Sequence, residues 1–192
     1  MLHYQMLQME AWRPTVTRAA LGAINHRVPD PFERLFLQEY PKVLAIAYRV
    51  LADRPAAEDV AQEVFLKFHR SHSPDSERAS GWLHSAAVHS ALNVIRGERR
   101  RAQRETAHAL DPARPTIANP ERLVEEAEQR REVRRALSRL PQRTAAVLML
   151  RHSGLSYAEV ATALGIKVGN VGTLLRRAEE ALRKEVQRAT PE

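Results

Sequence analysis

Gly154-Leu-Ser-Tyr-Ala-Glu-Val-Ala-Thr-Ala-Leu-Gly165-Ile-Lys-Val-Gly-Asn-Val171 is the stretch whose reading decides the fold. Ser156 followed three residues later by Glu159 is a capping box, each side chain satisfying an amide at a helix end, so a helix starts there. Val160, Ala161 and Leu164 recur at helical spacing. Gly165 then stands where a left-handed residue ends the helix and turns the chain. Ile166 plugs the turn with an apolar side chain, and a second helix is predicted from about Val168. Val171, Leu174, Leu175, Ala178 and Leu182 form its apolar stripe, and Arg176, Arg177, Arg183 and Lys184 occupy much of the remainder. A short helix, a glycine turn and a longer cationic helix is the arrangement that lays the second helix in a DNA major groove. The segment alone also fits an ordinary antiparallel pair whose arginines are merely solvated.

Upstream of this unit, Pro141 resets the chain, and Gln142 to Arg151 reads as a helix with Ala145, Val147, Leu148 and Leu150. Before it, Glu121, Glu125, Glu126, Glu128 and Glu132 make an acidic helical stretch leading in through Val133, Leu137 and Leu140. Between Glu105 and Asn119 the apolar period disappears, while Asp111-Pro112, Pro115 and Asn119-Pro120 supply breaks. That segment reads as a linker.

A second helical block lies on the other side of it. Phe32, Leu35, Phe36, Tyr40, Val43, Leu44, Ala47 and Tyr48 are spaced to bury one side of a helix that Pro41 is expected to kink or restart. Asp53, Arg54 and Pro55 interrupt. A helix from Ala56 to about Arg70 follows, burying Val60, Ala61, Val64, Phe65 and Phe68. Its other face carries Asp59, Gln62, Glu63 and Lys67, which reads either as a solvated face or as an acidic docking surface. After a polar loop, Gly81 and Trp82 introduce a helix with Leu83, Ala87, Val88, Ala91, Leu92 and Ile95 at packing intervals. It runs into Arg96-Gly-Glu-Arg-Arg-Arg-Ala-Gln-Arg104, where five arginines fall within nine residues. Such a block means phosphate contact or a disordered basic tail, and its place at the end of an apolar-striped helix favours the contact. Asn93, about one turn earlier, is a residue type that reads bases through paired hydrogen bonds.

The totals agree with this organisation. A chain of 192 residues with 44% hydrophobic content has room for two small packed domains. Cysteine is absent, which removes disulfides, thiolate metal sites and cysteine nucleophiles. Apolar runs are too short to span a bilayer, so membrane insertion is not expected. Charge interrupts Met1, Met6, Met9 and Trp12 before a signal-like core develops, so a cytoplasmic location is expected. A net charge of +7 points to a polyanionic partner. The fold expected is all-α: two small helical domains joined by a flexible linker, the second containing the helix-turn-helix. The boundaries are an extension of unassigned role at 1–28, a first domain at 29–104, a linker at 105–126 and a second domain at 127–192.

Two blocks in this order resemble one family. Ala57-Glu-Asp-Val-Ala-Gln-Glu-Val-Phe-Leu66, Gly81-Trp-Leu83 and Asn93 leading into the arginines carry the first half. Leu140-Pro141, Gly154 to Ala161 and Val168-Gly-Asn-Val171 carry the second. The chain resembles bacterial RNA polymerase sigma factors of the extracytoplasmic-function group of the sigma-seventy family, over Phe32 to Arg104 (region two) and Glu132 to Lys184 (region four). The resemblance implies core-polymerase binding through Asp59, Gln62 and Glu63, with the beta-prime and beta subunits as partners. It implies minus-ten recognition and DNA opening through Asn93, Arg96, Arg99 and Arg100. It further implies minus-thirty-five recognition through Lys167, Asn170, Thr173, Arg176 and Arg177, an anti-sigma factor as a further partner, and no catalytic residue or cofactor. Two departures stand out. Lys167 replaces the usual serine before the recognition helix, giving up an N-cap, and Gly172, Thr173 and Leu174 stand where many members carry Lys-Ser-Arg.

Other classes stay open from the residues alone. An ordinary helix-turn-helix regulator would bind duplex DNA without polymerase, and a sigma-like interaction protein would bind polymerase without opening promoters. An enzyme is not expected. His69 with His72, and His84 with His89, complete no metal-ligand motif, and Gly165, Gly169 and Gly172 lack both the phosphate-loop spacing and the strand before it.

Overall fold

A computed structural model describes residues 29–106 and 121–188, all of whose regular elements are helices. The extension at 1–28 and the central part of the linker lie outside the described residues. Among the described residues seven helices run in order: α1 Pro31–Leu51, α2 Arg54–Ser71, α3 Ala79–Thr106, α4 Glu121–Arg139, α5 Gln142–His152, α6 Tyr157–Leu164 and α7 Val168–Gln187.

Local chemistry sets most of the ends. Asp30 accepts from the Glu33 amide at 2.8 Å and Pro31 occupies the first turn of α1, where a missing N–H costs nothing. Pro41 is expected to kink or restart this helix, yet α1 continues through it. The ring removes only one bond, to the carbonyl of Leu37, a residue that is itself exposed, so the helix loses little by running on. Ala52 ends α1 in the left-handed region at φ 52°, its amide donating to the Tyr48 carbonyl. Asp53, read as an interruption, instead caps α2 by accepting from the Ala56 amide at 2.8 Å.

α1, α2 and α3 pack together around Val43, Ile46, Val64, Phe68, Leu83 and Leu92, all fully buried. Phe65 joins an aromatic cluster with Phe36, Tyr40 and Phe32. One buried polar pair interrupts this core: Glu39 of α1 lies 2.8 Å from Nε2 of His84 on α3, and the Ser80 hydroxyl donates to Glu39 at 3.1 Å. Burial alone would raise the Glu39 carboxyl. The hydrogen bond and charge of His84, with Lys42 and Ser80, outweigh it and hold the group below the ordinary glutamate value.

In the second half, six consecutive residues of α5, Ala145 to Leu150, are buried. A helix that is apolar all round must be covered on every side. α6 and α7 cover one part, and α3 and α1 of the first half cover another. α3 is therefore shared: it packs on α1 and α2 and also on α4, α5 and α6. The two helical halves meet along α3, and their buried residues join there.

Candidate functional site

Three surfaces carry the residues singled out in the sequence. On α2, Asp59, Gln62 and Glu63 are exposed and share one face through their spacing of three and four. Glu63 pairs with Lys67 at 2.6 Å, both side chains more than half exposed, a contact worth ~0–1 kcal/mol. Between them stands Leu66, 56% exposed. Helical periodicity places this leucine outside the buried stripe. Only the exposure shows a large apolar side chain standing free among charges, the combination found where a partner covers a surface.

The arginine block of α3 divides. Asn93 and Arg100 are exposed. Arg96 and Arg99 are half-buried, turned towards the end of α4. Nη2 of Arg96 donates to the Leu140 carbonyl at 2.8 Å, and Nη1 of Arg99 to the Ser138 carbonyl at 3.4 Å. Glu98 between them accepts from Arg134 of α4 at 2.9 Å. Burial, and next the charges of Arg99 and Arg100, push the Arg96 guanidinium below its ordinary value. The neighbouring charges disfavour the charged form of Arg96, so an anion beside it would relieve that repulsion. The four residues expected to act together thus lie on one helix with two of them engaged elsewhere.

The helix-turn-helix is built as its sequence predicts. Ser156 and Glu159 complete the capping box, and Gly165 adopts φ 62° as the C-cap of α6. Hydrogen bonding from the Ser156 backbone, then from its side chain, draws the Glu159 carboxyl below its ordinary value. α7 packs on α4, α5 and α6 through Val171, Ala178 and Leu182. Lys167, Asn170, Thr173, Arg176 and Arg177 are all exposed, and Arg176 has only Glu180 nearby, at 3.5 Å. Lys167 occupies the N-cap without a side-chain bond. The unusual triplet also resolves. Leu174 packs against the core, and a Cβ on Gly172 would meet the Tyr157 ring at 3.7 Å, leaving Thr173 as the outward member. Tyr157 was not singled out in the sequence. It is 42% exposed, with the Arg151 guanidinium 5.6 Å from its ring centroid.

Among the described residues no cluster of three potential metal ligands occurs, and no helix is long and apolar enough to cross a membrane. A helix-turn-helix with a bare cationic outer face, set beside an arginine-ended helix, defines a DNA-binding protein. Comparison with known proteins narrows the class. Residues 35–101 match Sigma-70 region 2 and residues 130–182 match Sigma-70, region 4. The RNA polymerase sigma-H factor of Pseudomonas aeruginosa is 33% identical over 166 residues, covering 81% of this chain and 86% of that one. The ECF RNA polymerase sigma-E factor of Escherichia coli is 32% identical over 168 residues with the same coverage. The ECF RNA polymerase sigma factor SigE of Mycolicibacterium smegmatis is 28% identical over 193 residues, covering 95% of this chain and 74% of that protein. The chain belongs to the extracytoplasmic-function group of sigma-70 family RNA polymerase sigma factors and directs promoter-specific initiation of transcription.

Proposed function

We propose that the three surfaces divide the work of initiation. The α2 face of Asp59, Gln62 and Glu63 docks on core RNA polymerase, chiefly its beta-prime subunit, with the beta subunit as a further contact. Asn93, Arg96, Arg99 and Arg100 meet the minus-ten element and hold its opened strand. Lys167, Asn170, Thr173, Arg176 and Arg177 address the minus-thirty-five element, arginines holding phosphates while the shorter side chains meet base edges. Opening the duplex follows from binding the unpaired strand better than the paired one, so this chain makes and breaks no bond itself. It acts in the cytoplasm, where core polymerase is, and an anti-sigma factor that holds it inactive would cover the same surfaces.

The observation that carries the docking assignment is Leu66 standing exposed within the acidic face. An exposed ion pair contributes ~0–1 kcal/mol, whereas burying a leucine contributes about 1.5–3 kcal/mol. Charge therefore orients the encounter and Leu66 supplies much of the affinity. Leu66→Ala is expected to weaken core binding about tenfold, a loss of ~1.4 kcal/mol. Asp59→Arg with Glu63→Arg is expected to abolish binding while circular dichroism and the melting temperature stay unchanged. Core affinity measured by fluorescence anisotropy decides, and full binding by the doubly reversed chain would remove the assignment.

A further inference from the structure

The start of α7 holds no arginine and carries an apolar side chain in the open. We infer that Val168, with the uncovered backbone of Gly172 beside it, takes the 5-methyl group of a thymine in the minus-thirty-five element, so that this contact is read by an apolar strip and not by a cation. The inference rests on the assignment of α7 to that element given above.

Among the described residues four large apolar side chains are exposed, and two of them, Val168 at 50% and Tyr157 at 42%, belong to the helix-turn-helix. Val168 is the first residue of α7, and Gly172 follows it four residues on, along the same side. The Tyr157 ring lies over that side, with Cε2 3.7 Å from where a Cβ on Gly172 would stand. Val168, Gly172 and Tyr157 therefore line one strip along the α6 side of the second helix. It is continuous with the exposed Lys167, Asn170 and Thr173.

Packing does not require glycine at position 172. Its φ is not in the left-handed region, and no atom comes closer than 3.7 Å to the Cβ position, so alanine would fit. Glycine inside a helix also weakens it relative to alanine. A glycine that the fold does not ask for, placed where it lowers stability, suits a close approach of the backbone to a ligand.

The chemistry of the strip selects that ligand. In helix-turn-helix docking the N-terminal residues of the second helix meet base edges in the major groove. Thymine alone presents a methyl group there, and apolar side chains recognise it. α7 holds no cation before Arg176, so its first two turns offer no cationic fork to the paired acceptors of guanine. Asn170 can pair with adenine through two hydrogen bonds, and with Val168 it makes the start of α7 a reader of A·T pairs.

The full chain together with core RNA polymerase is used to select duplexes from a library randomised across the minus-thirty-five element. The best-bound duplex is then made with deoxyuridine in place of each thymine of either strand in turn, a change that removes only the methyl group. At one position the parent is expected to lose binding about fourfold, which corresponds to ~0.8 kcal/mol for one buried methyl-sized group. Val168→Ala is expected to bind the thymine and deoxyuridine duplexes alike. Alanine is the better helix former and the site is exposed, so this variant keeps the fold. Gly172→Lys lays a cation along the strip and is expected, on repeated selection, to exchange that thymine for guanine.

A selected element without thymine, or no deoxyuridine effect at any thymine, overturns the methyl contact. An effect that persists unchanged in Val168→Ala assigns the methyl group to another residue and overturns the role of Val168. Arg176→Ala with Arg177→Ala separates these failures from a failure of the assignment beneath them. Weakened binding of the selected duplex keeps α7 on the minus-thirty-five element, whereas unchanged binding removes α7 from that element and the inference with it.

Discussion

Lys167 leaves the start of α7 without a side-chain cap. Its backbone, at φ −72° and ψ 140°, has the extended geometry of an N-cap, yet its side chain makes no bond to the helix it precedes. A cation at this end also opposes the helix dipole. Lys167→Ser restores the cap and is expected to stabilise the protein by about 1 kcal/mol, raising the melting temperature by about 2–4 °C. The same change should weaken duplex binding if Lys167 makes the phosphate contact proposed above. Calorimetry and a binding titration read the two effects separately, and unaltered affinity would exclude Lys167 from the interface. Lys167, like Ser156 and Gly165, is legible in the sequence because capping involves neighbours within about four residues. The role of Gly172 is not, since the Tyr157 ring that lies over it belongs to another helix.

At the level of the element, α7 is the clearest case of a helix with two unlike faces. Its apolar stripe is buried and its cationic face is bare apart from the 3.5 Å approach of Glu180 to Arg176. That pair is solvated and weak, so it competes little with a phosphate. Each neutralised phosphate releases a counterion, and Arg176→Ala with Arg177→Ala should therefore reduce the slope of log affinity against log salt by about 2. Duplex binding measured across a salt series tests this, and an unchanged slope would argue against both contacts. α5 teaches the opposite lesson about legibility. Periodicity assigns Ala145, Val147, Leu148 and Leu150 to a buried side, whereas Ala146 and Met149 are buried too. The unbroken apolar run from Ala145 to Leu150 is itself the signal that a second set of helices covers this one, and it reads as such only when no polar face is found.

For the molecule as a whole, the buried Glu39 and His84 pair lies close to the seam between the two halves, linked through Lys42 to Glu159. The Glu39 carboxyl is held below its ordinary value of about 4.5, as is that of Glu159. A depressed carboxylate contributes stability that is complete above its unfolded value and is lost as pH falls through its folded value. Unfolding midpoints in urea should accordingly decline as pH drops below about 4.5. Glu39→Gln should cost ~1–3 kcal/mol at neutral pH, because it leaves buried donors poorly matched, and should flatten the acid limb. An acid limb as steep as that of the parent would show that other carboxylates control it.

Helix identity, the Ser156 and Glu159 capping box and the glycine turn of the helix-turn-helix were determined by sequence alone, because each depends on spacings of a few residues along the chain. The mutual packing of the modules was decided only by tertiary structure. The bonds of Arg96, Arg99 and Arg134 across the seam span 44, 39 and 36 residues. An arginine written in a basic block has the same periodicity whether it faces solvent, a phosphate or a helix end. Which acceptor it meets is a matter of what the folded chain brings within about 3 Å, and no local pattern records that.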